Sequence, residues 1–437
     1  MRQLRNALTI DTPETEAERR LREFRPPEFR PQEFRPLGAF ENIFAAYNET
    51  ALTNFTLMAE LEGEISKPAV ERALAQVQAR HPLLAVGIRH GAGGRRVFVR
   101  SERPIPLTEL PTGAVPWELA AGLEIRRAFD VEQGPLMLAS IRFEAKCVRM
   151  FFTFHHSIAD GTSAVFVIRD FMRALSGERL GAFISAETLE RRLLEVPRAN
   201  PVDPAAKPRV LDPAAAERWG RGMKAMPVVS SRAFARDFTR RLRVVARFHD
   251  TTVHAALSVA VACAFADLRG AGAPLRIMSP INLRDMLGME EECGLFISGG
   301  TTTVYPAGDS FWDATRLARA ALEPYMYSDT AHAMIAGMQA FRDLDDTPAG
   351  ARAGFAAGFD FDAMLTNLGV LPIKARHGRL RIKTIAGPIV LASVEDEHII
   401  GAATLEEQLH LTYTSVTPLP GLLARMEQKL IDACKGW

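Results

Sequence analysis

The stretch FFTFHHSIADG, residues 151–161, is the part of this sequence from which the fold prediction starts. Residues 151–154 are rich in aromatic side chains and predict a short buried strand, which ends at His155 and His156. An amphipathic run over 162–175 follows and predicts a helix. A strand, a polar turn and a helix in this order commonly hold a reactive side chain on a rigid frame.

The two histidines are expected to point in opposite directions, because side chains alternate between the two faces of a strand. His156 would share its face with Phe152 and Phe154, while His155 would share the other face with Phe151. Adjacent histidines on opposite faces suit two different roles better than one shared metal ion.

Length and composition indicate a globular protein with more than one domain. A chain of 437 residues is long for a single hydrophobic core, so two domains are predicted. Hydrophobic residues make up 47% of the sequence and charged residues 24%, which is typical of soluble globular proteins. The formal net charge of +1 gives no electrostatic reason to expect a nucleic acid or an anionic membrane as a partner.

The sequence predicts a cytoplasmic protein without a membrane span. No apolar run approaches the roughly 18–20 residues that cross a bilayer, and the N-terminus lacks the continuous apolar core of a secretory signal. The four cysteines match no zinc or disulfide pattern, so reduced thiols are expected at Cys147, Cys263, Cys293 and Cys434. The sequence also lacks a glycine-rich phosphate loop, which argues against a nucleotide-dependent enzyme.

Residues 1–36 are predicted to be a tail outside the folded domains. They contain a near-repeat of Glu-Phe-Arg-Pro at 23–26, 28–31 and 33–36, and proline at this spacing excludes a long helix. A flexible tether is the favoured interpretation. The alternative is a docking arm whose phenylalanines pack on the protein's own domain or on a partner.

The remaining sequence is predicted to form two α/β domains. The first covers 37–185, and its elements are a strand over 51–62, a helix over 67–80, a strand over 95–100, and a hairpin of 136–143 and 147–154 that delivers the histidines. A proline-rich connector over 186–225 follows, with helices predicted over 185–194 and 212–225.

The second domain is predicted over 226–437. Its helices are expected at 236–248, 252–268, 311–325 and 419–433, and its strands at 275–281, 301–305, 362–367, 379–390 and 408–415. His254 begins the apolar helix of this domain. We interpret it as a core residue, because a lone histidine on an apolar helix is more often buried and hydrogen-bonded than catalytic.

The residues His155-His156-xxx-Asp160-Gly161 resemble the HHxxxDG signature of the thioester-dependent acyltransferase superfamily. This group includes chloramphenicol acetyltransferase, plant BAHD acyltransferases, alcohol acetyltransferases, mycobacterial polyketide-associated acyltransferases and the condensation domains of nonribosomal peptide synthetases. Three further segments are similar to family motifs: the RHPLL of 80–84, the PINLR of 280–284 and the TNLG of 366–369. The plant DFGWG motif is absent, which places the sequence away from the BAHD branch.

The resemblance implies a fold and a set of site residues. The fold would be two chloramphenicol-acetyltransferase-like α/β domains arranged as a V, with a tunnel at their interface. His156 would be the general base, and no metal would be bound. The residues implied to support the site are His155, Asp160, Gly161, Arg284 and Asn367. Asp160 would pair with Arg284, and Arg80 is the second candidate for that partner.

The resemblance also implies a reaction. An acyl group would pass from acyl-CoA or a phosphopantetheinyl carrier-protein thioester to a small-molecule alcohol or amine, in secondary metabolism or lipid biosynthesis. The thioester would be a co-substrate, so no permanently bound cofactor is expected, and an acyl carrier protein is a candidate partner of a monomeric enzyme. A neutral imidazole with a pKa of about 6.5 is a natural base for this chemistry, and general-base catalysis contributes about 10²–10⁴-fold.

Three alternatives stay open at this point. A condensation-like binding module would keep the fold and lack the reaction, although the intact motif favours activity. A metal hydrolase would use His155, His156 and Asp160 as ligands. A cysteine-nucleophile acyltransferase would use Cys147, for which a small buried residue is the simpler interpretation.

Overall fold

The structure, a computed structural model, describes residues 33–437 with the exception of 114, 185, 198–221, 271, 290, 307, 309 and 359–360. Its strands and helices form an α/β architecture with two six-stranded sheets and one three-stranded sheet. The predicted α/β class with two sheet-containing units is therefore confirmed, while the V-shaped arrangement and the tunnel stay predictions.

The strands are β1 (Glu33–Pro36), β2 (Phe55–Glu62), β3 (Val86–His90), β4 (Arg96–Arg100), β5 (Leu107–Glu109), β6 (Met137–Phe143), β7 (Val148–Phe154), β8 (Val228–Ala233), β9 (Leu275–Asn282), β10 (Ile297–Val304), β11 (Ala363–Val370), β12 (Arg376–His377), β13 (Leu380–Val390), β14 (Ile399–Leu405) and β15 (Gln408–Ser415).

The helices are α1 (Ala39–Asn48), α2 (Lys67–Arg80), α3 (Trp117–Glu124), α4 (Gly161–Leu175), α5 (Leu189–Leu193), α6 (Arg236–Phe248), α7 (Val253–Arg269), α8 (Phe311–Leu322), α9 (Ser328–Leu344), α10 (Pro348–Gly358) and α11 (Leu422–Ala433). Short 3₁₀ turns lie at Pro82–Ala85, Ala92–Gly94 and Glu323–Met326.

The first sheet has the strand order β12-β13-β2-β7-β6-β5 and places β7 between two antiparallel neighbours. Phe154, the last residue of β7, is opposite Phe55 on one side and Met137 on the other. Phe152 and Phe154 pack with apolar side chains of α4, including Phe171, in the core of this sheet. The predicted hairpin and helix are therefore present, and they hold rigidly the end of β7, which His155 and His156 directly follow.

The second sheet has the order β10-β9-β11-β14-β15-β8. The apolar helix α7 packs on it, as its almost unbroken run of buried residues predicts. The strand expected over 301–305 begins earlier, at Ile297, and pairs antiparallel with β9 along its length. This sheet holds β9 and β11, the strands that end in the PINLR and TNLG segments.

Strand β13 does not join the sheet of its own half. Residues 380–390, which belong to the predicted second domain, pair with β2 of the first sheet. The division into 37–185, 186–225 and 226–437 stays a prediction. Without β13 and β12, β2 would be an open edge with unpaired backbone groups. Alternation along a strand shows which side chains are buried, and it carries no information on which sheet supplies the neighbour, so the sequence pattern could not reveal this exchange.

The third Glu-Phe-Arg-Pro repeat is not a free tail. Residues 33–36 form β1, an edge strand on β4 of the three-stranded sheet β1-β4-β3. The Arg35 guanidinium donates to both carboxylate oxygens of Glu41, at 2.7 and 2.6 Å, and lies 5.0 Å from the ring centre of Phe98. The predicted tail boundary at 36 is therefore wrong by one repeat. The first two repeats and most of the helix predicted over 212–225 lie outside the described residues.

Several elements were not predicted from the sequence, among them α1, α9 and β14. Helix α9 has no sharply polar face, since one side packs on the protein and another lines a cavity. Its sequence therefore lacks the contrast between faces that predicts a surface helix. No single helix of the described ranges has the length and apolar composition of a membrane span, although α6 and α7, bent by 101° at their junction, meet that test as a pair.

Candidate active site

Asp160 links the histidine motif to the start of α4. It is the N-cap of this helix, and its Oδ1 accepts a hydrogen bond from Ser163 N at 2.8 Å. An N-terminal cap of this kind satisfies one of the backbone donors that a helix leaves free. The carboxylate is fully buried, so it also needs a counter-charge.

Arg284 provides that counter-charge from the other half of the chain. Its Nη1 donates to Asp160 Oδ2 at 2.9 Å, and its Nη2 donates to Ser163 Oγ at 2.7 Å. Phe296 N donates to the same Oδ2 at 2.8 Å. Arg284 is only 2% exposed, so the pair is a buried ionic connection between α4 and the segments next to β9 and β10.

His156 lies at the end of β7 with its ring clamped between phenylalanines. The ring stacks on Phe44 of α1, with centroids 4.2 Å apart and an interplanar angle of 11°, and lies 4.9 Å from the centroid of Phe55. Nδ1 is buried and forms no hydrogen bond within the described part of the chain. Because the ring lines a cavity, Nε2 is the nitrogen that a bound molecule can reach.

Burial among aromatic rings lowers the pKa of His156 to about 4, although the Asp160 charge and the carbonyl groups of His156 and Ala159 oppose this effect. The expectation of an almost unperturbed imidazole is therefore corrected. At neutral pH the ring is uncharged, which is the form that can accept a proton.

The cavity has a volume of about 910 Å³ and is lined by strands of both six-stranded sheets. Phe55, Pro388 and Val390 line it from the first sheet, and Met278 and Met364 line it from the second. Of the described side chains on its wall, His156 and Glu397 are the two that ionise. A large apolar cavity with one reachable imidazole is typical of a site for small-molecule chemistry.

Comparison with known proteins finds similarity to members of the superfamily that the motif resembles. Residues 44–187 match the family model of the Condensation domain. A plipastatin synthase polypeptide of Bacillus subtilis is 31% identical over 131 residues, which are 30% of this chain and 5% of that protein. The resemblance to the thioester-dependent acyltransferase superfamily is confirmed. The chain spans only a small fraction of the curated relatives that it matches.

Solved structures share the fold of this chain at low sequence identity. Polyketide synthase associated protein 5 from Mycobacterium tuberculosis has a TM-score of 0.64 at 16% identity, covering 94% of this chain and 100% of that one. Trichothecene 15-O-acetyltransferase from Fusarium sporotrichioides has a TM-score of 0.63 at 11% identity, covering 92% of this chain and 94% of that one. The shared fold thus extends well beyond the region of the family match.

His155 has different surroundings from His156. Its Nδ1 lies 2.7 Å from Ser157 Oγ and accepts from Ser157 N at 3.3 Å, so the ring proton is assigned to Nε2, which is buried without a partner among the described residues. Burial, followed by the nearby His156, lowers the pKa of His155 to about 3. The His155 ring is thus uncharged and held in place by Ser157, and it does not line the cavity.

Gly161 and Asn367 both line the cavity, together with Thr162, Thr366 and Leu368. A side chain at Gly161 would place its Cβ 2.8 Å from Leu368 Cδ2, so the absence of a side chain lets α4 approach β11. The Oδ1 of Asn367 accepts from Gly369 N at 2.9 Å, which fixes the side-chain amide at the end of that strand.

Arg80, the second candidate partner of Asp160, is engaged elsewhere. Its Nε donates to Asp170 at 2.6 Å, and its guanidinium lies 4.1 Å from the ring centre of Phe183. His81 Nε2 lies 3.2 Å from the same Asp170 carboxylate. The RHPLL segment therefore anchors the middle of α4 from the side away from the cavity.

Two other sequence candidates lie outside the cavity. Cys147 lines a separate surface pocket, and its pKa is raised by burial and by the charges of Glu60 and Glu144, which is unfavourable for a nucleophilic thiol. His254 Nε2 lies 2.9 Å from Ser279 Oγ, and burial lowers its pKa to about 4. His254 is therefore a partly buried, hydrogen-bonded residue of α7, in line with a packing role and not a catalytic one.

Sequence reasoning missed Phe44 and Glu397. Phe40, Ile43, Phe44 and Tyr47 follow the spacing i, i+3, i+4, i+7, so the helical period of α1 was available in the sequence. Glu397 carries no local signal. Its carboxylate accepts two contacts of 2.8 Å from Ala392 N, and burial raises its pKa to about 7 despite these bonds.

Proposed function

We propose that this chain transfers an acyl group from a thioester donor, either acyl-CoA or an acyl carrier protein, to the hydroxyl or amine of a small-molecule acceptor. The observation that carries the proposal is the position of His156, whose reachable nitrogen faces a cavity lined by both sheets. The Condensation match and the fold shared with an acetyltransferase support the same class of reaction.

His156 is the general base in this proposal. As the acceptor oxygen or nitrogen attacks the thioester carbonyl carbon, its proton moves to Nε2 of His156. The carbon–sulfur bond then breaks, the thiolate leaves, and the imidazolium returns the proton to the sulfur. The products are an ester or an amide and a free thiol, and the imidazole is regenerated.

The charge that develops on the carbonyl oxygen needs donors in a fixed position. The N-terminus of α4 lines the cavity at Gly161 and Thr162, and the positive end of a helix dipole favours a developing oxyanion. Asp160 and Arg284 act as a positioning pair in this scheme. They hold the first turn of α4 against the second half of the chain and do not relay a proton.

The test is product analysis with the full chain. Acyl-CoA and acyl-carrier-protein thioesters are offered with pooled alcohols and amines, and new esters or amides are identified by mass spectrometry. An acylated acceptor supports the proposal, and the donor that yields it identifies the thioester source. Saturable donor binding without any product would instead favour the condensation-like binding module.

The order of steps is tested by the mass of the intact protein. Direct transfer within a complex of both substrates leaves no acyl group on the enzyme, so the protein mass should not change after incubation with donor alone. An acylated protein would contradict direct transfer and would favour a covalent mechanism.

A further inference from the structure

We infer that the cavity holds a long alkyl chain carried by one of the two substrates of the proposed reaction. The inference rests on the proposed function for the identity of the reaction, and on the cavity wall for the class of substrate. The alkyl chain would belong either to a fatty acyl thioester or to a fatty alcohol or amine. All of these carry the apolar alkyl chain that the wall would bind.

One face of α9 forms an apolar wall of this cavity. Met334, Gly337, Met338, Phe341 and Leu344 all line it, and none of them can ionise. Methionine side chains adapt their shape to irregular apolar ligands. A wall of this composition excludes a charged or strongly polar substrate portion, because a polar group would lose its water there without gaining a partner.

The length of the wall sets the length of the chain. From Ala333 to Leu344, both of which line the cavity, an α-helix rises about 1.5 Å per residue, which gives about 16 Å. An extended polypeptide spans about 3.6 Å for each three backbone bonds, so an extended alkyl chain of about a dozen carbons matches the wall. Leu344 is 69% exposed, so the wall reaches the protein surface at that end.

Gly337 lies in the middle of this wall and offers a precise way to shorten the space. A Cβ added there would meet no heavy atom within 4 Å, so a larger side chain would project into open space. Replacing a helical glycine also removes a residue of poor helix propensity, so Gly337→Leu is compatible with the fold of α9.

The experiment measures binding and turnover separately in the full chain. Saturated acyl-CoAs and linear 1-alkanols, each from two to sixteen carbons (about the range that brackets the wall), are titrated by calorimetry and then assayed as substrates. Burial of each methylene should strengthen binding roughly fourfold, up to about a dozen carbons. The series that shows this dependence, donor or acceptor, identifies the substrate that carries the chain.

In Gly337→Leu the increase in affinity with chain length should stop several carbons earlier than in wild type. The longest chains should bind at least about tenfold more weakly than they bind wild type, while the affinity of the shortest chains should not change. Gln339→Leu is the matched control, because it adds the same side chain to the same helix at a residue that does not line the cavity.

The outcomes separate this inference from the proposed function. Length-dependent binding without turnover would support the alkyl chain and contradict acyl transfer. Turnover that is indifferent to chain length in both series would overturn the alkyl chain and leave acyl transfer intact. If Gly337→Leu fails to fold, the wild-type series alone still shows whether affinity depends on chain length. Gly337→Ala then adds a smaller side chain at the same place in the cavity.

Discussion

Asp160→Asn is expected to destabilise the protein strongly, because it leaves the Arg284 guanidinium buried without a counter-ion. Asparagine caps helices about as well as aspartate, so the change keeps the helix cap while it removes the charge and turns one acceptor oxygen into a donor. Two donors, Arg284 Nη1 at 2.9 Å and Phe296 N at 2.8 Å, converge on Oδ2, and the asparagine amino group would face both of them. Breaking one side of a buried ion pair costs roughly 3–5 kcal/mol in the free energy of unfolding.

Arg284→Met should have an effect of similar size, since it leaves the Asp160 carboxylate buried and unpaired. In the double variant neither charge is present, so its loss should be smaller than the sum of the two single losses by about 2–3 kcal/mol. The measurement is urea-induced unfolding of all four proteins at pH 7, with the slope of the transition checked for constancy.

The control combines Asp160→Asn with Arg80→Met. Arg80 pairs with Asp170, so these two losses should add within about 0.5 kcal/mol. Asp160 and Arg284 are not a coupled pair if their losses also add within that margin, or if Arg80 shows the coupling instead.

Three further predictions concern protonation and packing. Because the pKa of His156 is lowered to about 4, kcat/KM should stay constant from pH 7 down to about 5 and fall only below that; an inflection near the ordinary histidine pKa would contradict it. The raised pKa of Glu397, about 7 against 4.5, should remove up to about 3 kcal/mol of stability as pH rises through this interval. Glu397→Gln should abolish that loss of stability. If the difference in unfolding free energy between wild type and the variant did not change with pH, the raised pKa of Glu397 would be refuted. Arg35→Ala should cost about 1–3 kcal/mol in unfolding free energy by leaving Glu41 buried without its guanidinium; equal melting temperatures for this variant and the exposed control Arg95→Ala would show that the Arg35–Glu41 pair contributes nothing to stability.

The sequence was sufficient where the chemistry is local. The aromatic residues of β7 and the amphipathic run of α4 are separated only by the short polar turn, so hydrophobic periodicity locates the histidines on a strand–turn–helix frame. The pairing of Asp160 with Arg284 joins residues far apart in the chain, and spacing alone could not supply it. Only resemblance to a family motif brought Arg284 forward.

Features set by the tertiary packing were out of reach. Strand β13 crosses to the first sheet, and no local pattern encodes that choice. Burial lowers the pKa of His156, and part of that burial comes from Phe44, which α1 brings against the ring. The motif alone therefore leaves the imidazole near its ordinary value. Helix α9 was missed because its cavity face is as apolar as its packed face, and the contrast on which an amphipathic prediction depends is weak.

His156 is the residue on which the proposed reaction depends most, and the ratio of kcat/KM between wild type and His156→Ala tests its role most directly. The ratio is measured at pH 7 with a thioester and an acceptor found by product analysis, alongside the melting temperature of both proteins. We predict a loss of about 10²–10⁴-fold in a variant that still folds. Activity within a few-fold of wild type in a variant of unchanged stability would contradict the assignment of His156 as the general base.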